Sequence, residues 1–168
     1  MTFAGRIEPL AVTHDRRNFS CGDAVLDEYL RRLARQHAES KISRTYVAAQ
    51  GARILAYYSL AMSAIRKEQL PEQYQKRFPR YPVPVARLVR LAVDQQAQGS
   101  GLGKKLLLMD ALFRCDRLSA EIGSVGVVVD AKHERAQSFY RQFGFVEFPD
   151  SPLTMWLHGA DIVSLFQR

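Results

Sequence analysis

Gly99, Gly101 and Gly103 stand at alternate positions between the run Arg90-Leu-Ala-Val-Asp94 and an amphipathic stretch that opens at Lys104. Glycines let a backbone turn sharply and approach a ligand closely. A helix starting directly after them aims its unpaired N–H groups and positive dipole end at an anion. The chemistry this spacing predicts is pyrophosphate binding without a metal. A triphosphatase phosphate loop would need glycine at position 98 and Ser or Thr after Lys104, but Gln98 and Lys105 stand there. The dinucleotide fingerprint G-x-G-x-x-G also fails, because these glycines recur at every second position. A turn that only reverses the chain is the plain alternative for the motif by itself.

A second block bears on the first. Ser124 to Asp130 reads as a buried strand, and Ala131 to Phe143 as a short helix with Ala136, Phe139, Tyr140 and Phe143 at helical spacing. Another strand, Gly144 to Phe148, follows at once. Gln96-Ala97-Gln98-Gly99-Ser100-Gly101 resembles the Q-x-x-G-x-G signature with which the general N-acetyltransferases, the GNAT superfamily, hold the pyrophosphate of acetyl-coenzyme A. Ala136-Gln-Ser-Phe-Tyr140 followed by Phe143-Gly-Phe145 is similar to that superfamily's second coenzyme segment. The resemblance implies an α/β GNAT fold, a central mixed twisted sheet flanked by helices on both faces, in a single N-acetyltransferase domain over residues 1–168.

The elements that must position these motifs alternate along the chain. A strand is expected over Ile7 to Val12 and a helix over Gly22 to Ser40, with Leu26, Tyr29, Leu30 and Leu33 inward and Ser20 or Asp23 near its cap. A hairpin follows, Thr45 to Ala49 and Ile54 to Ala64 around Gln50-Gly51-Ala52, then a short helix over Lys67 to Lys76. Prolines at 79, 82 and 84 mark a loop before the central strand, Val85 to Asp94. A helix over Leu102 to Glu121 would turn Leu106, Met109, Ala111, Leu112, Phe113, Cys115 and Leu118 inward. Leu153 to Leu157 and Asp161 to Phe166 suggest one or two closing strands.

Composition sets bounds on function. A chain of 168 residues, 47% hydrophobic, can bury one sizeable core. Met1 to Gly5 lacks the charged and apolar pattern of a leader, and the near-apolar run Ile54 to Ile65 is too short and polar to span a bilayer. A soluble, cytoplasmic protein with no membrane partner is expected. Cys21 and Cys115 are isolated, and His14, His37, His133 and His158 are scattered, so neither a disulfide framework nor a metal site is predicted.

Lys and Arg number 24 against 17 Asp and Glu, a net charge of +7, which favours an anionic partner such as nucleic acid. The basic residues gather at Arg31, Arg32, Arg35, Lys41 and Arg44, and again at Arg66, Lys67, Lys76, Arg77, Arg80, Arg87 and Arg90. A solvated cationic surface is the plain reading of any one of them; the set would suit a groove that follows phosphates. Arg87 and Arg90 would face opposite sides of a regular strand unless a bulge intervenes.

Phe19-Ser-Cys-Gly-Asp-Ala-Val-Leu-Asp-Glu-Tyr-Leu30, Ser43-Arg-Thr-Tyr-Val47, Ala56-Tyr-Tyr-Ser-Leu60, Arg90-Leu-Ala-Val-Asp94 and Phe139-Tyr140 together resemble the GNAT toxins of type II toxin–antitoxin modules. The resemblance spans most of the chain. It implies acetyl transfer from acetyl-coenzyme A to the free amine of aminoacyl-tRNA, a block on translation, a ribbon-helix-helix antitoxin partner and a homodimer. It further implies that Leu91, Ala92 and Val93 hold the pantetheine arm, that Gln98, Gly99, Ser100, Gly101, Leu102, Gly103 and Lys104 hold the pyrophosphate, and that Ser138 also touches the coenzyme. Tyr140 matches the family's tyrosine acid, and Arg32, Arg35, Arg77 and Arg90 are the candidate tRNA contacts. Ser100 stands where many relatives carry Lys or Arg, which removes one cationic contact.

Direct attack by an amine on a thioester needs an oriented carbonyl, a neutral amine and a proton for the leaving thiolate. A thiol titrates near 8.5 and tyrosine near 10, so proton transfer from Tyr140 is uphill by about 2 kcal/mol unless the site lowers the phenol. The structural alternative for Tyr140 is a packed aromatic. An α-amine with pKa about 7.7 to 8.0 hardly needs a strong base. Glu28, Glu68 and Asp94 are equivalent candidates should one be required. Two other functions fit the same residues, an N-acetyltransferase for small amines or proteins and a nucleic-acid-binding module without catalysis.

Overall fold

The computed structural model describes residues 3–98 and 102–167. Gly99, Ser100 and Gly101 lie outside the described residues. The strands are β1 (Arg6–Pro9), β2 (Arg44–Gln50), β3 (Arg53–Ile65), β4 (Val83–Val93), β5 (Gly126–Asp130), β6 (Val146–Phe148) and β7 (Ser151–His158). Their order in the sheet is β1-β2-β3-β4-β5-β7-β6. β4 and β5 run parallel, whereas β1 with β2, β2 with β3, β5 with β7 and β6 with β7 are antiparallel. The mixed sheet is the one expected of the GNAT fold. The chain divides into two compact units, residues 1–61 with 89–111 and residues 62–88 with 112–168.

In the first unit, α1 (Ala24–Glu28) runs through a π turn (Tyr29–Leu33) into α2 (Ala34–Glu39). Asp23 is the N-cap, its carboxylate accepting from the Val25 and Leu26 N–H groups; Ser20 does not take that role. The π turn inserts a residue into the helical register, so Tyr29, Leu30 and Ala34 are buried while Leu33 is exposed. That reverses the inward position predicted for Leu33. Phe19, Tyr29, Leu30, Val47, Ile54, Tyr57 and Ala92 form the core here.

In the second unit, Ile65, Leu70, Val83, Val85, Val128, Phe148 and Trp156 form the core. The helix expected over Lys67 to Lys76 is broken by Pro71 into a 3-10 turn (Lys67–Gln69) and α3 (Glu72–Gln75). α4 (Lys104–Ser119) is continuous and α5 (Glu134–Arg141) is shorter than expected. Along α4 the buried residues are Leu107, Leu108, Ala111, Leu112 and Cys115, whereas Leu106 and Phe113 are exposed, a correction to the predicted face. Phe113 instead meets Phe166 edge-on at 5.5 Å. The segment predicted as a second closing strand is a helix, α6 (Gly159–Phe166), whose Ile162 is buried. A short apolar run cannot separate strand from helix by periodicity, and Asp161 in its first turn suits the helix dipole.

Candidate active site

The first unit carries the strand end and the start of the helix that flank the glycine turn. β4 pairs with β5 only through Ala86, Arg87 and Leu88, opposite Val127, Val128 and Val129. Beyond Leu88 no described residue of β4 pairs with β5. Asp94 ends the strand. Its Oδ2 accepts from the Ser20 N–H at 2.9 Å and its Oδ1 from the Gln96 N–H at 2.8 Å, and it is 5% exposed. The Gln95 N–H donates to the Ser20 carbonyl at 2.8 Å. Gly22 has φ +91, and a Cβ there would lie 2.8 Å from the Gln95 side-chain nitrogen. The Phe19-Ser-Cys-Gly22 motif is therefore the support of the turn after β4. With both oxygens engaged by backbone, Asp94 drops out as a general base.

The chain then makes a 3-10 turn (Gln95–Ala97) and exposes Gln98. Leu102 is buried at 2% exposure, Gly103 precedes α4, and Lys104 and Lys105 are exposed at its start. A Cβ on Gly103 would meet nothing closer than 4.0 Å. Packing does not require glycine there, which leaves room for a ligand to come against the backbone. The start of a helix with two exposed lysines beside it favours negative charge.

The second unit carries Ser138 and Tyr140. α5 is capped by His133, whose side chain accepts from the Ala136 N–H at 3.2 Å, and the Gln137 amide donates to the Pro152 carbonyl at 2.8 Å. Ser138 is exposed on this helix. Tyr140 is buried at 7% exposure, edge-on to Phe139 and Phe145 with centroids at 5.2 and 5.5 Å. Its hydroxyl has no hydrogen-bond partner among the described residues. Burial pushes the phenol up to about 12, opposite to the lowering that easy proton transfer would need. Tyr140 thus stays protonated throughout the neutral range, with a hydroxyl able to donate.

The four arginines differ in their settings. Arg32 pairs with Glu28 at 2.9 Å and Arg35 with Glu39 at 3.6 Å, exposed pairs on one helical segment. Arg77 lies 5.6 Å from the Tyr74 ring centre. Arg90 lies 3.6 Å over the Tyr29 ring, whose hydroxyl bonds Ser43 at 2.6 Å and His37 Nδ1 at 3.2 Å. Arg87, by contrast, forms an ion pair with Asp130, whose other oxygen accepts from the Thr154 hydroxyl. Its charge is already answered, so of the two arginines on β4 it is Arg90 whose guanidinium is held by an aromatic face and by no carboxylate among the described residues. Sequence spacing could not show this, because Arg87 and Asp130 are far apart in the chain. Among the described residues no cluster of His, Cys, Asp or Glu could hold a metal ion, and no helix is long and apolar enough to cross a membrane.

A mixed sheet in which β4 leads toward a helix start lined with lysines fits an α/β transferase. Residues 41–147 match the acetyltransferase (GNAT) domain family, and the chain belongs to that family. A tRNA-acetylating toxin of Mycobacterium tuberculosis is 38% identical over 151 residues, 90% of each chain. The structure of AtaT complexed with acetyl-methionyl-tRNAfMet superposes with a TM-score of 0.87 at 28% identity, covering 96% of this chain and 98% of the other. A tyrosine-to-phenylalanine mutant of the AtaT toxin, bound to the C-terminus of the antitoxin AtaR and acetyl-CoA, gives 0.81 at 25% identity, covering 97% and 98%.

Proposed function

We propose that this chain, acting as a single acetyltransferase domain, moves the acetyl group of acetyl-CoA to the α-amine of aminoacyl-tRNA and thereby blocks translation. The observation that carries this reading is the end of β4 braced by Asp94 and leading toward a helix start with exposed Lys104 and Lys105. It is joined by the similarity, along nearly the whole chain, to a toxin that acetylates tRNA. Leu91, Ala92 and Val93 would hold the pantetheine arm by their backbone groups. Gln98, Gly99, Ser100, Gly101, Leu102, Gly103 and Lys104 would hold the pyrophosphate, and Ser138 would touch the coenzyme from α5. Acetyl-CoA supplies an activated thioester when bound.

The chemistry left to the protein is orientation and one proton. As the acceptor nitrogen forms its bond to the acetyl carbon, the bond from that carbon to sulfur breaks. Tyr140 would give its phenolic proton to the departing sulfur, and the proton lost by the amine restores the phenol. With the phenol near 12 and a free thiol near 8.5, complete transfer costs about 5 kcal/mol, so Tyr140 contributes most as a hydrogen-bond donor while charge grows on sulfur. No strong base is needed: an α-amine titrates at about 7.7 to 8.0, so a usable fraction is already neutral near pH 7, while Asp94 is engaged by backbone and Glu28 is paired with Arg31 and Arg32.

Arg32, Arg35, Arg77 and Arg90 would meet tRNA phosphates; the exposed pairs to Glu28 and Glu39 are weak enough for arginine to exchange a carboxylate for a phosphate. A ribbon-helix-helix antitoxin, a homodimeric state and a cytoplasmic location complete the reading; the AtaT complex with AtaR supports an antitoxin partner. The test is incubation with labelled acetyl-CoA and pooled aminoacyl-tRNA, then digestion and mass spectrometry. Acetyl-aminoacyl-adenosine, absent with deacylated tRNA, is the expected product. Acetylation of small amines or lysyl peptides instead would replace the acceptor, and tRNA binding without turnover would remove the enzyme.

A further inference from the structure

An open recess of about 320 Å³ in the first unit, away from the β4 turn in sequence, is lined by Val12, His14, Asp15, Arg16, Arg17 and Arg31. Its lining is mostly polar and carries more positive than negative charge. The segment that forms it is held firmly. His14 is buried, its Nδ1 accepting from the Ala11 N–H at 2.9 Å and its Nε2 donating to Glu8 at 2.9 Å, so the ring is fixed as the neutral Nε2–H tautomer in this arrangement. The Asp15 N–H donates to the Ala52 carbonyl at 2.7 Å.

The single acid in the recess is occupied. Asp15 accepts from the Arg17 N–H at 3.1 Å and from the Asn18 backbone and side-chain N–H groups at 3.3 and 2.5 Å, closing a turn that displays Arg16 and Arg17. Arg16 donates to the Arg31 carbonyl at 3.0 Å, which fixes its guanidinium and leaves its other N–H groups for a ligand. Arg17 is exposed and forms no ion pair among the described residues. Arg31 approaches Glu28 only to 3.7 Å. Ordered guanidinium forks around an open recess fit phosphate oxygens, which accept parallel N–H bonds. Arg31 is followed along the same exposed segment by Arg32 and Arg35, so the charge continues beyond the recess, as a chain of phosphates requires and a lone phosphate does not.

We infer that the Arg16, Arg17 and Arg31 recess is a binding site for a phosphodiester of the RNA substrate, an anchor separate from the acetyl-transfer chemistry. The identity of the RNA rests on the proposed function; the anion site does not.

The test uses the full chain and deacylated tRNA. Affinity is measured across potassium chloride concentrations for the wild type, Arg17→Gln and Arg16→Glu with Arg17→Glu, alongside acetyl-CoA affinity and kcat on aminoacyl-tRNA. Arg17→Gln removes a side chain with no internal ion pair, so its effect does not depend on refolding. The expected result is a roughly threefold loss of tRNA affinity for Arg17→Gln and tenfold or more for the double variant. The slope of log affinity against log salt should become shallower by about 1 for each phosphate no longer neutralised. Acetyl-CoA affinity and kcat at saturating tRNA should stay at wild-type values, and Arg17→Lys should restore most of the binding. Unchanged tRNA affinity and slope would overturn the site, and so would a loss confined to acetyl-CoA, which would give the recess to the coenzyme's own phosphate. A wild type that binds tRNA through these arginines but acetylates none of it would sink the substrate reading and keep the site.

Discussion

The two compact units handle their functional polar groups in opposite ways. Around the end of β4 every such group is tied: Asp94 takes two backbone N–H groups, Tyr29 is hydrogen-bonded on its hydroxyl and covered by Arg90 on its ring, and Tyr57 donates to the Leu26 carbonyl at 2.6 Å. Around α5, Tyr140 sits among aromatic edges with no described partner for its hydroxyl, and burial alone raises its pKa. In the first region these side chains are committed to holding shape. In the second, the Tyr140 hydroxyl and the buried Trp156 Nε1 have no hydrogen-bond partner among the described residues. Networks that are fully satisfied rigidify, whereas a hydroxyl without a protein partner is left to donate to a ligand.

The largest effect should come from cutting the scaffold. Asp94→Ala leaves the Ser20 and Gln96 N–H groups unanswered in a buried place, and a loss of about 4 kcal/mol in denaturant unfolding is expected, with weaker acetyl-CoA binding. A loss below about 1 kcal/mol would mean that the turn is not braced as described. Tyr140→Phe should reverse the pattern, lowering kcat by about a hundredfold while unfolding free energy stays level or rises slightly, since only a hydroxyl without a described partner is removed. Equal losses in both would place Tyr140 in the scaffold class.

The alkaline limb sharpens the same contrast. The folded state holds the Tyr140 proton more tightly than an unfolded chain does, because its pKa is raised from 10 to about 12. Stability from this group is complete below pH 10 and is lost as pH rises from 10 to 12, by about 3 kcal/mol at most. Unfolding followed from about pH 9 to 12 should show a steeper decline for the wild type than for Tyr140→Phe; parallel curves would contradict the buried, unpaired phenol. The smallest effect is expected at Arg90→Gln, which loses the stacking on Tyr29 and about 1 kcal/mol of stability in thermal unfolding.

The strand before the glycines and the helix after them are readable in the sequence because their signals are local. The same holds for Phe139-Tyr140 on α5. What the sequence hides depends on long-range or irregular geometry. The π turn shifts Leu33 outward, and no periodicity announces an inserted residue. Asp94 reads as a possible base until Ser20 and Gln96 are seen on its oxygens. Asp130 neutralises Arg87, and only the β4–β5 register brings them together. Arg16-Arg17 stands outside every motif, although Asp15 and Asn18 around it carry the composition of a side-chain-closed turn. The C-terminal helix is hard to tell from a strand because Asp161 to Phe166 is too short a run for its period to decide.

The division between scaffold and reactive group is tested most directly by the single-turnover rate of acetyl transfer to aminoacyl-tRNA, for the wild type and Tyr140→Phe, from about pH 6 to 9 at saturating acetyl-CoA. The account predicts a wild-type rate that rises as the acceptor amine loses its proton and then levels, with the variant about a hundredfold slower at every pH and its acetyl-CoA affinity unchanged. Equal rates across that range would contradict it and leave Tyr140 as a packed aromatic.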